Sequence, residues 1–104
     1  MGLVAGSRAG LYRFAALHAR PNPSDGNAEI GYTLDRASEV RVSLFNVAGR
    51  LVRVLEEQGP LDPGPHAANW DGRDRSGRPA PAGLYFARIQ SENRSVWVRI
   101  LRVR

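Results

Sequence analysis

A chain of 104 residues with a net charge of +5 and no cysteine has room for one domain, and it holds neither a disulfide nor a Cys-based metal site. Hydrophobic residues at 42% against 24% charged mark a globular chain and exclude a disordered one. Eleven Gly and seven Pro demand many turns, which favour short strands over long helices.

Residues 1–20 carry Arg8, Arg13 and Arg20 and no acid. Arg13 interrupts their only apolar run, so the segment reads as an upstream tail or linker rather than a secretory signal. It leaves space for one extra strand around Leu11 to Leu17. The boundary falls at Arg20-Pro21-Asn22-Pro23, where two prolines fix φ and forbid a helix. A single domain is predicted from 21 to 104. Ala28 to Leu34 alternates with period two, placing Ala28, Ile30, Tyr32 and Leu34 on one face. After a turn at Asp35 to Ser38, a second strand runs from about Glu39 to Val47, with Val40, Val42 and Leu44 inward. Asn46 to Arg50 forms a hairpin in which Gly49 takes positive φ. Leu51 to Leu55 returns as its partner strand, and Glu56 to Pro63 is read as a loop. Gly64 to Trp70 is a strand with His66, Ala68 and Trp70 on one face. Asp71 to Ala82 is a long turn region. Gly83 to Gln90 and Ser95 to Val103 are two further strands joined through Ser91 to Arg94. Six strands with room for a seventh, spaced about 8–12 residues apart, predict an all-β, Ig-like antiparallel sandwich.

No constellation carries chemistry. The two histidines, His18 and His66, sit in neither a triad nor a metal spacing, and the serines lack a nucleophile-elbow context. Glu56 and Glu57 are adjacent on an extended chain and point to opposite faces, so they cannot act as an acid–base pair. Asp71, Gly72, Asp74 and Gly77 form an oxygen-rich loop, but Arg73 and Arg75 would repel a cation, and the spacing is that of paired turns rather than a calcium loop. No enzyme, no cofactor and no metal are expected. Trp70 is expected in the core. Trp97 faces away from Val96 and Val98, so it packs on a second face or stands as an exposed aromatic contact. All fifteen basic residues are Arg, and the dense group is Arg99, Arg102 and Arg104 at the end of the chain. With Trp97 these are the candidate binding residues for an anionic partner. No aromatic–basic ladder of the nucleic-acid type is present. No stretch approaches the ~20 apolar residues of a membrane-spanning helix.

The order of motifs resembles a known family. Pro21-Asn22-Pro23 opens the series, followed by Tyr32-Thr33-Leu34 and Val42 to Val52 with Gly49-Arg50. Next come Gly64-Pro65-His66, Trp70-Asp71-Gly72-Arg73-Asp74, Gly77-Arg78-Pro79 and Gly83-Leu84-Tyr85-Phe86. The series resembles the C-terminal sorting domain (type A) of bacterial type IX secretion cargo. It is also similar to the Ig-like domain of the flagellar hook-capping protein. The resemblance covers Pro21 to Arg104, about four-fifths of the chain. It implies a non-catalytic domain that sorts an exported protein and anchors it at the cell surface, with passage through the periplasm. The implied partners are an outer-membrane translocon, a sortase-like peptidase and an upstream cargo joined covalently, with lipopolysaccharide as the anchor. Where the family often ends in a Lys-containing strand, this chain has Arg99, Arg102 and Arg104, which keeps charge but not side-chain identity. The alternative is an Ig-like structural or adhesive module that binds a protein partner or a polyanionic glycan.

Overall fold

In the computed structural model, which describes residues 11–103, the alternating segments become seven strands and, among the described residues, no helix. They are β1 (Ala15–Arg20), β2 (Ala28–Leu34), β3 (Ser38–Asn46), β4 (Leu51–Leu61), β5 (Gly64–Trp70), β6 (Gly83–Ser91) and β7 (Arg94–Arg102). Two sheets form, one ordered β1-β2-β5 and the other β4-β3-β6-β7, with every neighbouring pair antiparallel. The molecule is an Ig-like sandwich.

Period two explains the packing. Ile30, Tyr32 and Leu34 from β2, Val42 and Leu44 from β3, Ile89 from β6 and Ile100 from β7 turn inward and are fully buried between the sheets. Trp70 closes one end of this core, its ring meeting Tyr85 edge-on at 5.1 Å. The Tyr85 hydroxyl, near the start of β6, donates back to the Pro81 carbonyl, the tyrosine-corner contact of Ig-like sandwiches. At the opposite end Asp35, just after β2, accepts two bonds from the Arg94 guanidinium at the start of β7, at 2.9 and 2.8 Å. That fork joins the two sheets.

Two elements depart from the reading of the sequence. The first strand begins at Ala15 and runs to Arg20, later than the Leu11 to Leu17 window, and pairs with β2 from Ala15↔Thr33 to Arg20↔Glu29. The fourth runs on through Glu56, Glu57, Gln58 and Pro60 to Leu61, where a loop was expected. Its pairing with β3 continues through Val42↔Glu56, Arg41↔Glu57 and Val40↔Gln58, with three register irregularities. β4 is an edge strand, so its polar side chains reach water, and a proline without an N–H is tolerated there.

The β3–β4 hairpin is held by Asn46, whose Oδ1 accepts from the N–H groups of Ala48 and Arg50, both at 3.0 Å. Gly49 takes φ +80° in that turn, a conformation costly for any side chain with a Cβ.

Candidate functional site

The Trp70–Gly77 motif is built as a fold device. The indole Nε1 of Trp70, a side chain with 0% exposure, donates to the Arg73 carbonyl at 2.8 Å. Asp71 Oδ1 accepts from the Arg73 N–H at 3.0 Å and from the Arg53 guanidinium at 2.7 Å, tying the loop to β4. Asp74 Oδ1 gathers the Ser76 N–H, the Ser76 hydroxyl and the Arg78 N–H. These bonds, the Ser76 hydroxyl first, hold its carboxyl below the usual range. Gly72 takes φ +82°, and a Cβ there would sit 2.5 Å from the Arg102 guanidinium. The carboxylates of this loop therefore accept from backbone, Ser76 and Arg53 groups. Among the described residues, no three His, Cys, Asp or Glu side chains come together as a metal-holding group.

β7 gathers three of the four candidate binding residues, but they diverge. Arg102 is 7% exposed and turned inward. Its Nε donates to the Ala80 carbonyl at 2.8 Å, and its guanidinium lies 5.6 Å from the centre of the Trp70 ring. Its place on the same face of β7 as Ile100 separates it from Arg99: Arg102 is turned inward onto the core plug, Trp70. Trp97 and Arg99 sit on the opposite, outer face. Arg104 lies outside the described residues.

The outer face holds two residues that sequence reading passed over. The Arg88 guanidinium lies 5.0 Å from the Phe45 ring centre and 5.7 Å from that of Trp97. The two rings are 5.8 Å apart. Register puts Arg88 opposite Trp97 and Phe86 opposite Arg99 across β6 and β7, while Phe45 faces Phe86 from β3. Trp97 keeps 52% of its surface exposed, and Val47, which lines the same groove, is exposed too. Among the described residues neither Arg88 nor Arg99 has a carboxylate partner. Arg20, Arg36, Arg41, Arg53 and Arg94 do, whereas the arginines of the loops, Arg50, Arg73, Arg75 and Arg78, share the lack of one.

Pro21, Asn22 and Pro23 lie along the free edge of β7. Asn22 donates to the Arg99 carbonyl at 3.0 Å and accepts from the Leu101 N–H at 2.9 Å. The Ser24 N–H donates to the Leu101 carbonyl at 2.7 Å, and the Ser24 carbonyl accepts from the Val103 N–H at 2.8 Å. After pairing with β2 in one sheet, the chain thus crosses over and straps the last strand of the other, running parallel to it. The strap spans Arg99 to Val103. Ser95 and Trp97, which by the same alternation turn their backbone groups to that side, lie beyond it, where β1 packs beside β7 and Phe14 sits over the Arg94 guanidinium.

Elsewhere the polar groups serve the fold. The His18 ring lies over Gly31, where an added Cβ would come within 2.4 Å of it. His18 and Arg20 both reach Glu29 Oε1 at 3.1 Å, His18 contributing most to holding that carboxyl below its usual range. The buried Tyr32 hydroxyl donates to Glu56 at 2.7 Å, and burial above all pushes its pKa up. Gly83 and Tyr85 open β6, and Gly49 and Arg50 close the β3–β4 hairpin.

Residues 19–95 match the family model described as the FlgD Ig-like domain. No curated protein matches the chain in sequence. Among solved structures, the fold is similar to part of dimeric latent PorU from Porphyromonas gingivalis, with a TM-score of 0.65 and 20% identity over 85% of this chain. It is also similar to part of PorZ from the same organism, described as an essential surface component of the type IX secretion system. There the TM-score is 0.54, with 20% identity over 84% of this chain. The chain spans 9% of the length of PorU and 11% of that of PorZ.

Proposed function

Since the chain belongs to the FlgD Ig-like domain family, we propose that it is a non-catalytic secretion-sorting and surface-anchoring domain of an exported bacterial protein. The observation that carries this reading is the fold it shares with part of PorZ, a surface component of the type IX system. The motif order running from Pro21 to Tyr85 agrees with it. Chemically, such a domain needs only a surface that a translocon can grip. The stretch of β7 beyond the strap, Ser95 to Trp97, has no hydrogen-bonded neighbour on its outer side, and strand addition there would need β1, which packs beside β7, to give way. The partners on this reading are the translocon, a sortase-like peptidase and a covalently joined cargo, with the mature product secreted or held at the cell surface by lipopolysaccharide.

The test places residues 1–104 behind a reporter carrying a signal peptide, in a bacterium with the type IX system and in a mutant lacking it. Reporter at the surface or in the medium of the first strain, and trapped in the periplasm of the second, is the expected result. Retention in the periplasm of both strains overturns the reading.

A further inference from the structure

The outer face of the β4-β3-β6-β7 sheet carries cations that the rest of the chain leaves uncompensated. The acids of the same sheet, Glu39, Glu57 and Glu92, sit at its other end, where Glu57 pairs with Arg41 at 3.6 Å and Glu92 with Arg36 at 3.2 Å. Around Trp97 there are Arg88 and Arg99 and no acid on the paired rows Leu84↔Leu101, Phe86↔Arg99 and Arg88↔Trp97. The Arg88 guanidinium lies against the two rings, and its Nε is shut off from solvent without an acceptor. Between Phe45, Val47, Phe86, Arg88 and Trp97 runs a shallow groove of about 370 Å³.

We propose that this face binds an acidic polysaccharide, a sugar ring lying on Trp97 and its carboxylate meeting Arg88 and Arg99. Charge complementarity selects an anion, because Arg88 lies against the aromatic ring most exposed among the described residues and Arg99 follows two residues on along the same face. Geometry selects a sugar. A flat aromatic surface matches the C–H face of a pyranose, and a planar guanidinium beside it matches a carboxylate in a two-pronged bond. A single-stranded nucleic acid would need successive exposed platforms. Here Phe45 is tilted 48° against Trp97 rather than offered as a second platform. The site lies on the sheet face, and its recognition chemistry is independent of the export reading.

The experiment titrates the full chain with polygalacturonate oligomers and follows tryptophan emission, since Trp97 is exposed while Trp70 is sealed in the core. Emission should shift on binding, and affinity should fall steeply as salt rises through ~0.15 M. Trp97→Ala and Arg88→Gln, followed by calorimetry, should each weaken binding about tenfold or more, equivalent to about 1.4 kcal/mol. Trp97→Phe should keep most of it. Arg78→Gln, which removes the same charge from the β5–β6 loop, should leave it unchanged. Thermal unfolding of every variant is measured in parallel. If Trp97→Ala does not fold, Arg88→Gln and Trp97→Phe decide. The proposal is overturned by no binding at low salt, by equal binding of neutral dextran, by undiminished affinity in Arg88→Gln, or by an equal loss in Arg78→Gln. The last result would mean diffuse attraction to net charge.

Discussion

Trp70 shows how much a single side chain decides. Its ring is fully buried, it meets Tyr85 edge-on, and its one polar atom is satisfied by the Arg73 carbonyl. Arg102 covers it from β7 with a guanidinium whose Nε is bonded to the Ala80 carbonyl. Trp70→Ala removes the ring and leaves a cavity against side chains that cannot all collapse into it. The expected loss is about 3–5 kcal/mol, read as a shift in the urea midpoint. That loss is large against the ~5–15 kcal/mol typical of a small domain. The residue's burial is legible from its place on the inward row of β5. Its arginine cover is not, because Arg102 lies far along the chain and reads as one of a charged C-terminal group until packing turns it inward.

Among the elements, the strap and β7 make the clearest pair. Asn22 acts as a stand-in strand residue, donating to one β7 backbone group and accepting from another. Replacing it leaves the Arg99 carbonyl and the Leu101 N–H to water or to another chain. Asn22→Ala should lower stability by about 0.5–1.5 kcal/mol. It should also raise self-association through the uncovered edge, measured by sedimentation at increasing concentration. Asn22→Asp keeps the bond from Leu101 but sets a carboxylate oxygen against the Arg99 carbonyl, so it should not rescue the loss. An unchanged midpoint and an unchanged monomer in Asn22→Ala would rule out edge protection by this residue. Pro-Asn-Pro reads in the sequence as a boundary, since two prolines break regular structure. Its partner, the far end of the chain, is set by how the sheets meet.

At the scale of the molecule, the sandwich is closed at one end by Trp70 and clamped at the other by Asp35 and Arg94. The Arg94 guanidinium, through its hydrogen bonds and its charge, holds the Asp35 carboxyl down to about 2. An unfolded Asp titrates near ~3.9, so the folded state binds its proton more weakly. The clamp's contribution is then fully present above pH ~4 and is lost as pH falls toward about 2. Glu29 and Asp74 are shifted in the same direction and steepen the same acid limb. The thermal midpoint should therefore decline between pH ~4 and ~2. Asp35→Asn should be less stable at neutral pH and show a shallower decline. An acid limb as steep in Asp35→Asn as in the parent would mean that other carboxylates carry it.

The alternation, the inward rows of β2, β3 and β5 and the all-β class were legible from the chain alone, because a two-residue period is a local property. The hairpin connection at Ser91 to Arg94 was legible too, and the structure's register across it sets Arg88 opposite Trp97. Three things were decided only by the tertiary structure. β4 continues through polar residues because it lies at an edge, where such side chains face water. Phe45 joins Arg88 and Trp97 because β3 pairs with β6 across a long stretch of chain. Arg99 and Arg102 part company, one to solvent and one to the core, because neighbours on either side of Ile100 and Leu101 fall on opposite faces and only the second sheet makes one of those faces an interior.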